Sequence, residues 1–120
     1  MQQPKNITIV YEEDSKSISH LVKSKLMFEG FEVKHFADGL GVVEEVVKIK
    51  PTAVLLDNDM PNKNGLTIVE KLKNIPIIFL TARHDEKIVV KCLELGVADY
   101  IIKDCLAISE IITRIKKFLK

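Results

Sequence analysis

The chain has 120 residues, a length that supports one folded domain with its own apolar core. Its 18 basic and 17 acidic side chains leave a formal net charge of +1, which gives no reason to expect a nucleic-acid or membrane surface. No apolar run approaches the ~20 residues of a membrane span, and the N-terminus lacks the apolar core of a signal peptide. The two cysteines, Cys92 and Cys105, lack metal-ligand spacing and fit a reduced, cytoplasmic protein.

The first predicted strand covers residues 6–11, a run rich in β-branched side chains. It opens into three consecutive acids at residues 12–14. Ser15 or Ser17 can cap the helix that follows, and Gly30 ends it. The apolar face of this helix is predicted to consist of Ile18, Leu21, Val22 and Leu26.

Residues 31–36 alternate with a period of two, which predicts the second strand. Residues 40–49 have helical periodicity and are followed by Pro51, which ends the helix. The residues predicted to face inward are Val43, Val46 and Val47. The third strand is the apolar run that begins at Ala53 and ends in the carboxylate of Asp57.

Residues 65–73 predict a short helix and residues 76–80 a strand, apolar throughout as a strand covered on both faces requires. A helix over 85–95, closed by Gly96, precedes the last strand at 100–102. The last helix has an inner stripe of Ile108, Ile111, Ile112, Ile115 and Phe118. The alternation predicts an α/β fold of the (βα)5 type, with a doubly wound parallel five-stranded sheet in the order 2-1-3-4-5.

Chemically active side chains follow four of the predicted strands. They are the acids Glu12, Glu13 and Asp14, then Asp57, Thr81 and Lys103. Parallel strands present their carboxyl ends at one edge of the sheet, where open α/β sheets place their sites. We therefore expect these four distant stretches to converge on one crevice.

The charges in this crevice call for a cation. Two carboxylates about 4 Å apart repel by about 4 kcal/mol at an effective dielectric of about 20. Lys103 can supply positive charge, and so can a hard divalent ion such as Mg²⁺. An aspartate such as Asp57 can accept a phosphoryl group covalently, and Thr81 can donate a hydrogen bond to its oxygens. The set suits phosphoryl transfer, which depends mainly on positioning and charge stabilisation.

The chain resembles the receiver domain of two-component response regulators over essentially its whole length. The matching segments are residues 12–14, 55–61 with Gly65, 76–83 and 95–103. The resemblance implies a flavodoxin-like fold and a single receiver domain over residues 1–120.

The resemblance also implies roles for single residues. Asp57 is the implied phosphoacceptor, charged by a histidine kinase or a phosphotransfer protein. The implied Mg²⁺ ligands are Asp14, Asp57 and the backbone carbonyl of Asp59, with Glu13 acting through water. Thr81 and Lys103 are the implied phosphoryl-sensing pair, and Tyr100 is the implied aromatic switch.

Such a domain is not an enzyme beyond its own phosphoryl transfer and autodephosphorylation. Its output is implied to pass through the face formed by the fourth helix, the fifth strand and the fifth helix to a downstream effector or output domain. The resemblance also allows a phosphorylation-dependent dimer, and it implies no membrane contact and no direct nucleic-acid binding.

The acidic cluster departs from the family pattern, which usually has an acidic pair directly after an apolar strand. Counting back from Gly30 selects Glu13 and Asp14, whereas counting forward from the apolar run selects Glu12 and Glu13. We prefer the first count, because it aligns Ile18 without a gap. It leaves Glu12 at a normally apolar strand position, and Glu12 stays an alternative metal ligand.

Asp104 follows Lys103 where the family usually has a proline in a cis peptide. A cis bond before a residue other than proline costs about 2.5–4 kcal/mol, so we expect a trans bond and a shifted loop. Asp104 can also pair with Lys103 and weaken its pull on the phosphoryl group. Asp59 and Arg83 lie where the family tunes phosphoryl lifetime, and we hypothesise that they pair across the site mouth.

Two other functions compete with a working receiver. A degenerate receiver would bind partners independently of phosphorylation, which the acidic-cluster irregularity and the Lys103–Asp104 pair motivate. A haloacid-dehalogenase-type phosphatase is suggested by residues 57–59, but that family usually carries a cap and needs a late acidic pair, and Asp99 and Asp104 are not adjacent.

Overall fold

A computed structural model describes residues 7–13, 15–37, 41–57, 65–72, 75–81, 86–102 and 107–117. The strands are β1 (Thr8–Glu12), β2 (Glu32–Phe36), β3 (Ala53–Asp57), β4 (Ile77–Thr81) and β5 (Asp99–Ile102). The helices are α1 (Lys16–Phe28), α2 (Val42–Ile49), α3 (Gly65–Lys71), α4 (Glu86–Leu95) and α5 (Ala107–Lys116). None of the helices in these stretches is both long and apolar enough to cross a membrane.

The strands form one five-stranded sheet in the order β2-β1-β3-β4-β5, and every neighbouring pair is parallel. Parallel neighbours need a crossover connection, which each intervening helix supplies. The predicted fold class and strand order are confirmed.

Side chains alternate along each strand and fill two separate cores. Ile9 and Tyr11 of β1 pack with residues of α1 and α5, on what we call the α1/α5 face. Val10 packs with residues of α2, α3 and α4, on the α2/α3/α4 face. Because alternation continues to the strand ends, these two faces decide where the site side chains point.

Two helices bury less of their apolar surface than their sequences predict. In α1, Val22 and Leu26 are buried, but Leu21 and Ile18 are exposed, so the prediction is wrong for those two. In α2, Val47 is exposed although it was predicted to face inward. A helix lying on a sheet buries only the stripe that faces the sheet, and apolar residues beside that stripe stay in solvent.

The start of α1 settles a choice that the sequence left open. The Ser15 hydroxyl accepts a hydrogen bond from the Ile18 amide at 3.4 Å, so Ser15 is the N-cap. β1 also continues one residue beyond the predicted end, and Glu12 is therefore a strand residue rather than a loop residue. Both differences bear on the acidic cluster, which lies between these elements.

Candidate functional site

Asp57 ends β3, the central strand of the sheet, and its side chain is fully buried, with 0% of its surface exposed. All five residues of β3 are buried, because strands flank it on both sides and helices cover both faces. Burying a carboxylate is costly unless a counter-charge or hydrogen bonds offset the loss of water. Its position at the carboxyl end of a parallel strand therefore points to a functional role.

Glu13 lies beside Asp57 at this edge. β1 and β3 pair through Glu12 and Leu56, so Glu13, the residue directly after β1, comes level with Asp57, the last residue of β3. Alternation puts Glu13 on the α1/α5 face, which Tyr11 also occupies, and puts Glu12 on the opposite face. Both glutamates are buried. The structure therefore places Glu13 beside Asp57 and Glu12 in the strand, which is the arrangement assumed by counting back from the end of the first helix.

Hydrogen bonds hold Glu13 from three directions. Its amide donates to the Phe36 carbonyl at 3.0 Å, and its carboxylate Oε2 accepts from the Ser15 amide at 3.3 Å. Its carbonyl oxygen lies 2.9 Å from Nε2 of His35, which donates to it. The end of β1 is thus tied both to β2 and to the start of α1.

Tyr11 packs beneath the acidic residues. Its side chain is fully buried, and its ring lies 5.5 Å from the ring of His35, centroid to centroid. Burial raises the pKa of the Tyr11 hydroxyl, and the carboxylates of Glu13 and Asp57 raise it further. Tyr11 is therefore a neutral side chain beside two acidic ones.

Glu13 and Asp57 together need positive charge. Neighbouring strands are about 5 Å apart, and two negative charges at that separation repel by about 3 kcal/mol at an effective dielectric of about 20. Carboxylates are the hard oxygen donors that Mg²⁺ prefers, and one or two of them with water commonly complete its site. The described part of the chain contains no cluster of three or more metal-ligating side chains. Glu13 and Asp57 fit a magnesium site in which water and other oxygen donors supply the remaining ligands.

The next strand brings Thr81 to the same edge. Asp57 pairs with Leu80 of β4, and Thr81 follows as the last residue of that strand. Its backbone pairs with Ile102, the last residue of β5. The backbone therefore places Thr81 one position from the register partner of Asp57.

Tyr100 lies on β5, two residues before the strand ends. Its register partner is Phe79, and the half-buried ring packs against the core on the α2/α3/α4 face. Tyr100, Cys92 and Val97 help to line a cavity of about 120 Å³ between α4 and β5. Empty space beside an aromatic ring gives it somewhere to move.

The other predicted site residues lie outside the described residues. They are Asp14, Asp59, Arg83 and Lys103. Asp104 also lies outside them, so the expectation of a trans bond after Lys103 stays a prediction, as does the pairing of Asp59 with Arg83.

Sequence reasoning missed the contacts of His35. The three histidines, His20, His35 and His84, lie on separate predicted elements and lack ligand spacing, which gives no reason to predict a role for any of them. His35 is the register partner of Tyr11, and its ring reaches the carbonyl of Glu13. The available signal was a polar side chain near the carboxyl end of a strand predicted to neighbour the acidic one.

A groove of about 440 Å³ runs between α1 and α5. It is lined by Leu21, Ser24, Lys25, Phe28 and Ile108. Phe28 is 82% exposed, and the ammonium group of Lys25 lies 5.3 Å above its ring centroid. The groove combines exposed apolar surface with positive charge on the helix that begins directly after the acidic cluster.

The family model described as the response regulator receiver domain matches residues 7–116. Among solved structures, the CheY-like receiver domain protein of Methanospirillum hungatei JF-1 superimposes with a TM-score of 0.88. It is 24% identical, and the match covers 96% of this chain and 94% of that one.

Two further structures show the same fold. The chemotaxis protein CheY4 of Vibrio cholerae matches with a TM-score of 0.85 and 22% identity, over 95% of this chain and 99% of that one. The BeF3-activated receiver domain of Klebsiella pneumoniae RstA matches with a TM-score of 0.82 and 27% identity, over 94% of this chain and 98% of that one.

Proposed function

We propose that this chain, which belongs to the response regulator receiver domain family, accepts a phosphoryl group on Asp57 from a histidine kinase or a phosphotransfer protein. Receiver domains are signalling modules of two-component systems rather than classical enzymes. The observation that carries the proposal is the burial of Asp57 at the end of the central strand, beside Glu13.

The transfer needs few covalent events. A carboxylate oxygen of Asp57 bonds to phosphorus as the bond between phosphorus and the donor's histidine nitrogen breaks, leaving an acyl phosphate on Asp57. Bound Mg²⁺ would supply charge neutralisation for the phosphoryl oxygens. The residues that we propose to hold it are Glu13, Asp14, Asp57 and the backbone carbonyl of Asp59, with Glu12 as the alternative. Thr81 and Lys103 would bind the phosphoryl oxygens, and Asp59 and Arg83 would tune its lifetime.

Phosphorylation of Asp57 would change the conformation of the surface formed by α4, β5 and α5. A phosphoryl group adds about −1.5 to −2 charges, enough to bias an element with two arrangements. Tyr100 is the candidate element, because its ring borders the 120 Å³ cavity against α4. A downstream effector or output domain would recognise this face, and a second copy of the chain could pair through it. We place this activity in a single cytoplasmic domain over residues 1–120.

The α1/α5 groove is our candidate docking surface for the phosphodonor protein. It lies on the helix that starts three residues after Glu13, so a partner seated there also approaches Asp57. Glu29 at the end of α1 is paired with Lys116 of α5 at 2.9 Å and with Lys25 at 3.9 Å, so two ammonium groups share one carboxylate and this rim of the groove keeps a net positive charge. The donor should therefore present an apolar surface flanked by acidic side chains.

Intact mass spectrometry tests the central proposal. Wild type and Asp57→Asn are incubated with acetyl phosphate and Mg²⁺, with and without a chelator. One phosphoryl adduct per chain, absent in the variant and with chelator, is the expected result. No adduct in wild type would favour the phosphorylation-independent binding module, and steady multiple turnover would favour a phosphatase.

A further inference from the structure

The peptide of Glu13 is held by β2 beyond the point where regular strand pairing ends. The ladder between β1 and β2 runs to the pair Glu12–Phe36. One residue further, the Glu13 amide still donates to the Phe36 carbonyl at 3.0 Å. Its carbonyl accepts instead from the side chain of His35, whose Nε2 lies 2.9 Å away. Since a carbonyl oxygen can only accept, Nε2 of His35 carries the hydrogen.

The ring of Tyr11 restricts the imidazole that makes this hydrogen bond. Tyr11 and His35 are register partners, and their rings are tilted by 40° at a centroid distance of 5.5 Å. Tyr11 is fully buried, so it presents a fixed surface to the imidazole. Packing against a fixed ring limits the rotamers of His35 and keeps Nε2 directed at the Glu13 carbonyl.

We infer that His35 is a positioning residue for the acidic edge, acting through the peptide of Glu13 to hold the Glu13 carboxylate beside Asp57. The inference rests on the proposed function, because it concerns the Mg²⁺ that the receiver reaction would use. His35 acts on Glu13 through the backbone carbonyl, which its Nε2 contacts at 2.9 Å. Phe36 holds the peptide group before the Cα of Glu13 and His35 holds the one after it, so the two together fix the direction of the Cα–Cβ bond. Without His35 only one of the two peptide groups is held, and the carboxylate can move relative to Asp57.

The position of that carboxylate matters because Mg²⁺ demands near-ideal octahedral geometry, and a carboxylate that acts through water must hold that water at its octahedral position. Loss of a partner that orients a ligand typically lowers metal affinity by about 10–100-fold. Bound Mg²⁺ would itself help to hold the carboxylate in place. The loss of His35 should therefore raise the Mg²⁺ concentration that the reaction needs and leave the rate at saturating Mg²⁺ unchanged.

Two substitutions distinguish the contribution of the His35 N–H donor from that of its ring. His35→Gln keeps an N–H donor, whereas His35→Phe keeps a ring against Tyr11 and removes the donor. The matched control is His20→Phe, because His20 is an exposed histidine on α1. Circular dichroism and thermal melting establish that each variant is folded.

Adduct formation from acetyl phosphate is followed by intact mass over a range of Mg²⁺ concentrations, and Mg²⁺ binding is measured in parallel by calorimetry. We expect His35→Phe to raise the half-saturating Mg²⁺ concentration on the order of tenfold, the low end for an orienting partner. His35→Gln should recover most of that loss, and His20→Phe should match wild type. Wild-type Mg²⁺ dependence in His35→Phe would overturn the inference. So would a folded His35→Gln as weak as His35→Phe, because an N–H donor at this position would then restore none of the lost Mg²⁺ affinity.

Nitrogen NMR of the imidazoles gives a readout that does not depend on phosphorylation. The neutral ring of His35 should carry its proton on Nε2, and the Nδ1–H tautomer would overturn the inference even if every variant folds poorly. Failure of the proposed function is distinguishable, because wild type itself would then form no adduct. If wild type forms the adduct and the His35 variants show the same Mg²⁺ dependence, the proposed function stands and only the role of His35 is rejected.

Discussion

Arg114 of α5 donates a hydrogen bond from Nη1 to Oδ1 of Asp99, the first residue of β5. The same Asp99 oxygen accepts from the Tyr100 amide at 2.8 Å, so one carboxylate joins α5 to the backbone of the candidate switch residue. Arg114 also reaches Glu110 at 3.3 Å on its own helix. The Asp99 and Arg114 side chains are 22% and 30% exposed, which leaves their attraction only partly screened by solvent.

Replacing Arg114 should therefore weaken the contact between α5 and β5. We expect Arg114→Gln to lower the free energy of unfolding by about 1 kcal/mol, the upper part of the range for an ion pair near the surface. Urea denaturation of Arg114→Gln, Asp99→Asn and the double variant measures the coupling. Glu110→Gln is the matched control. It should lower the free energy of unfolding by only about 0.3–0.5 kcal/mol, the contribution of an exposed ion pair one helical turn apart. A loss of stability in Glu110→Gln as large as that in Asp99→Asn would contradict a specific role for Asp99.

Glu12 and Glu13 should differ in their effect on phosphoryl acceptance. Glu12 points to the α2/α3/α4 face between the register partners Phe36 and Leu56, whereas Glu13 lies beside Asp57. We expect Glu13→Gln to raise the half-saturating Mg²⁺ concentration and Glu12→Gln to leave it near the wild-type value. Adduct formation from acetyl phosphate against Mg²⁺ concentration provides the measurement. The reverse order of effects would show that Glu12 is the metal-binding residue.

Tyr11→Phe should not destabilise the fold. The hydroxyl of Tyr11 is buried and makes no hydrogen bond of conventional geometry within the described stretches, although burial and, after it, the nearby Glu13 carboxylate raise the pKa of this hydroxyl. Leaving a buried hydroxyl in that state costs about 1–3 kcal/mol, and removing it keeps the ring that packs against His35. We expect an unchanged or higher free energy of unfolding by urea, with Tyr100→Phe as the comparison. A loss above about 1 kcal/mol would reveal a net hydrogen bond in the folded state.

Cys92 should make stability fall at alkaline pH. Burial raises the pKa of its thiol from 9.0 to about 11. Between these values the unfolded chain releases the thiol proton while the folded chain keeps it, so the unfolded state binds fewer protons and stability decreases as pH rises. The limiting slope for one group is about 1.4 kcal/mol per pH unit.

The test compares urea denaturation at successive pH values for Cys105→Ala, which retains Cys92, and for Cys92→Ala/Cys105→Ala. The second variant should be less stable overall because a buried side chain is truncated, but its stability should depend less on pH. Parallel pH curves for the two would show that the folded thiol ionises as readily as the unfolded one.

The α1/α5 groove predicts a difference between protein and small-molecule donors. Phe28→Ser should slow phosphoryl transfer from the cognate donor protein, because Phe28 offers the most exposed apolar side chain of the groove. Acetyl phosphate should phosphorylate this variant at the wild-type rate, since Asp57 is untouched. Val47→Ser, at an exposed apolar site on α2, is the matched control. Equal transfer rates for both variants would show that the donor protein docks on a surface other than the α1/α5 groove.

Local patterns in the sequence determined the element order, the parallel sheet and the position of Asp57 at a strand end. Those patterns depend on neighbours within a few residues, since the side-chain period and the Gly and Pro breaks are local properties. The strand order followed because right-handed crossovers leave few arrangements for such a chain.

Only the tertiary structure decided which acid lies beside Asp57, and that His35 reaches Glu13. The register between β1 and β3 determines which glutamate comes level with Asp57. A shift of one residue would exchange the positions of Glu12 and Glu13. Leu21 and Val22 are both apolar, and the sequence does not distinguish them. The docking of α1 on the sheet buries Val22 and leaves Leu21 exposed. Register and docking depend on contacts between residues far apart in the chain, and for that reason local patterns do not reveal them.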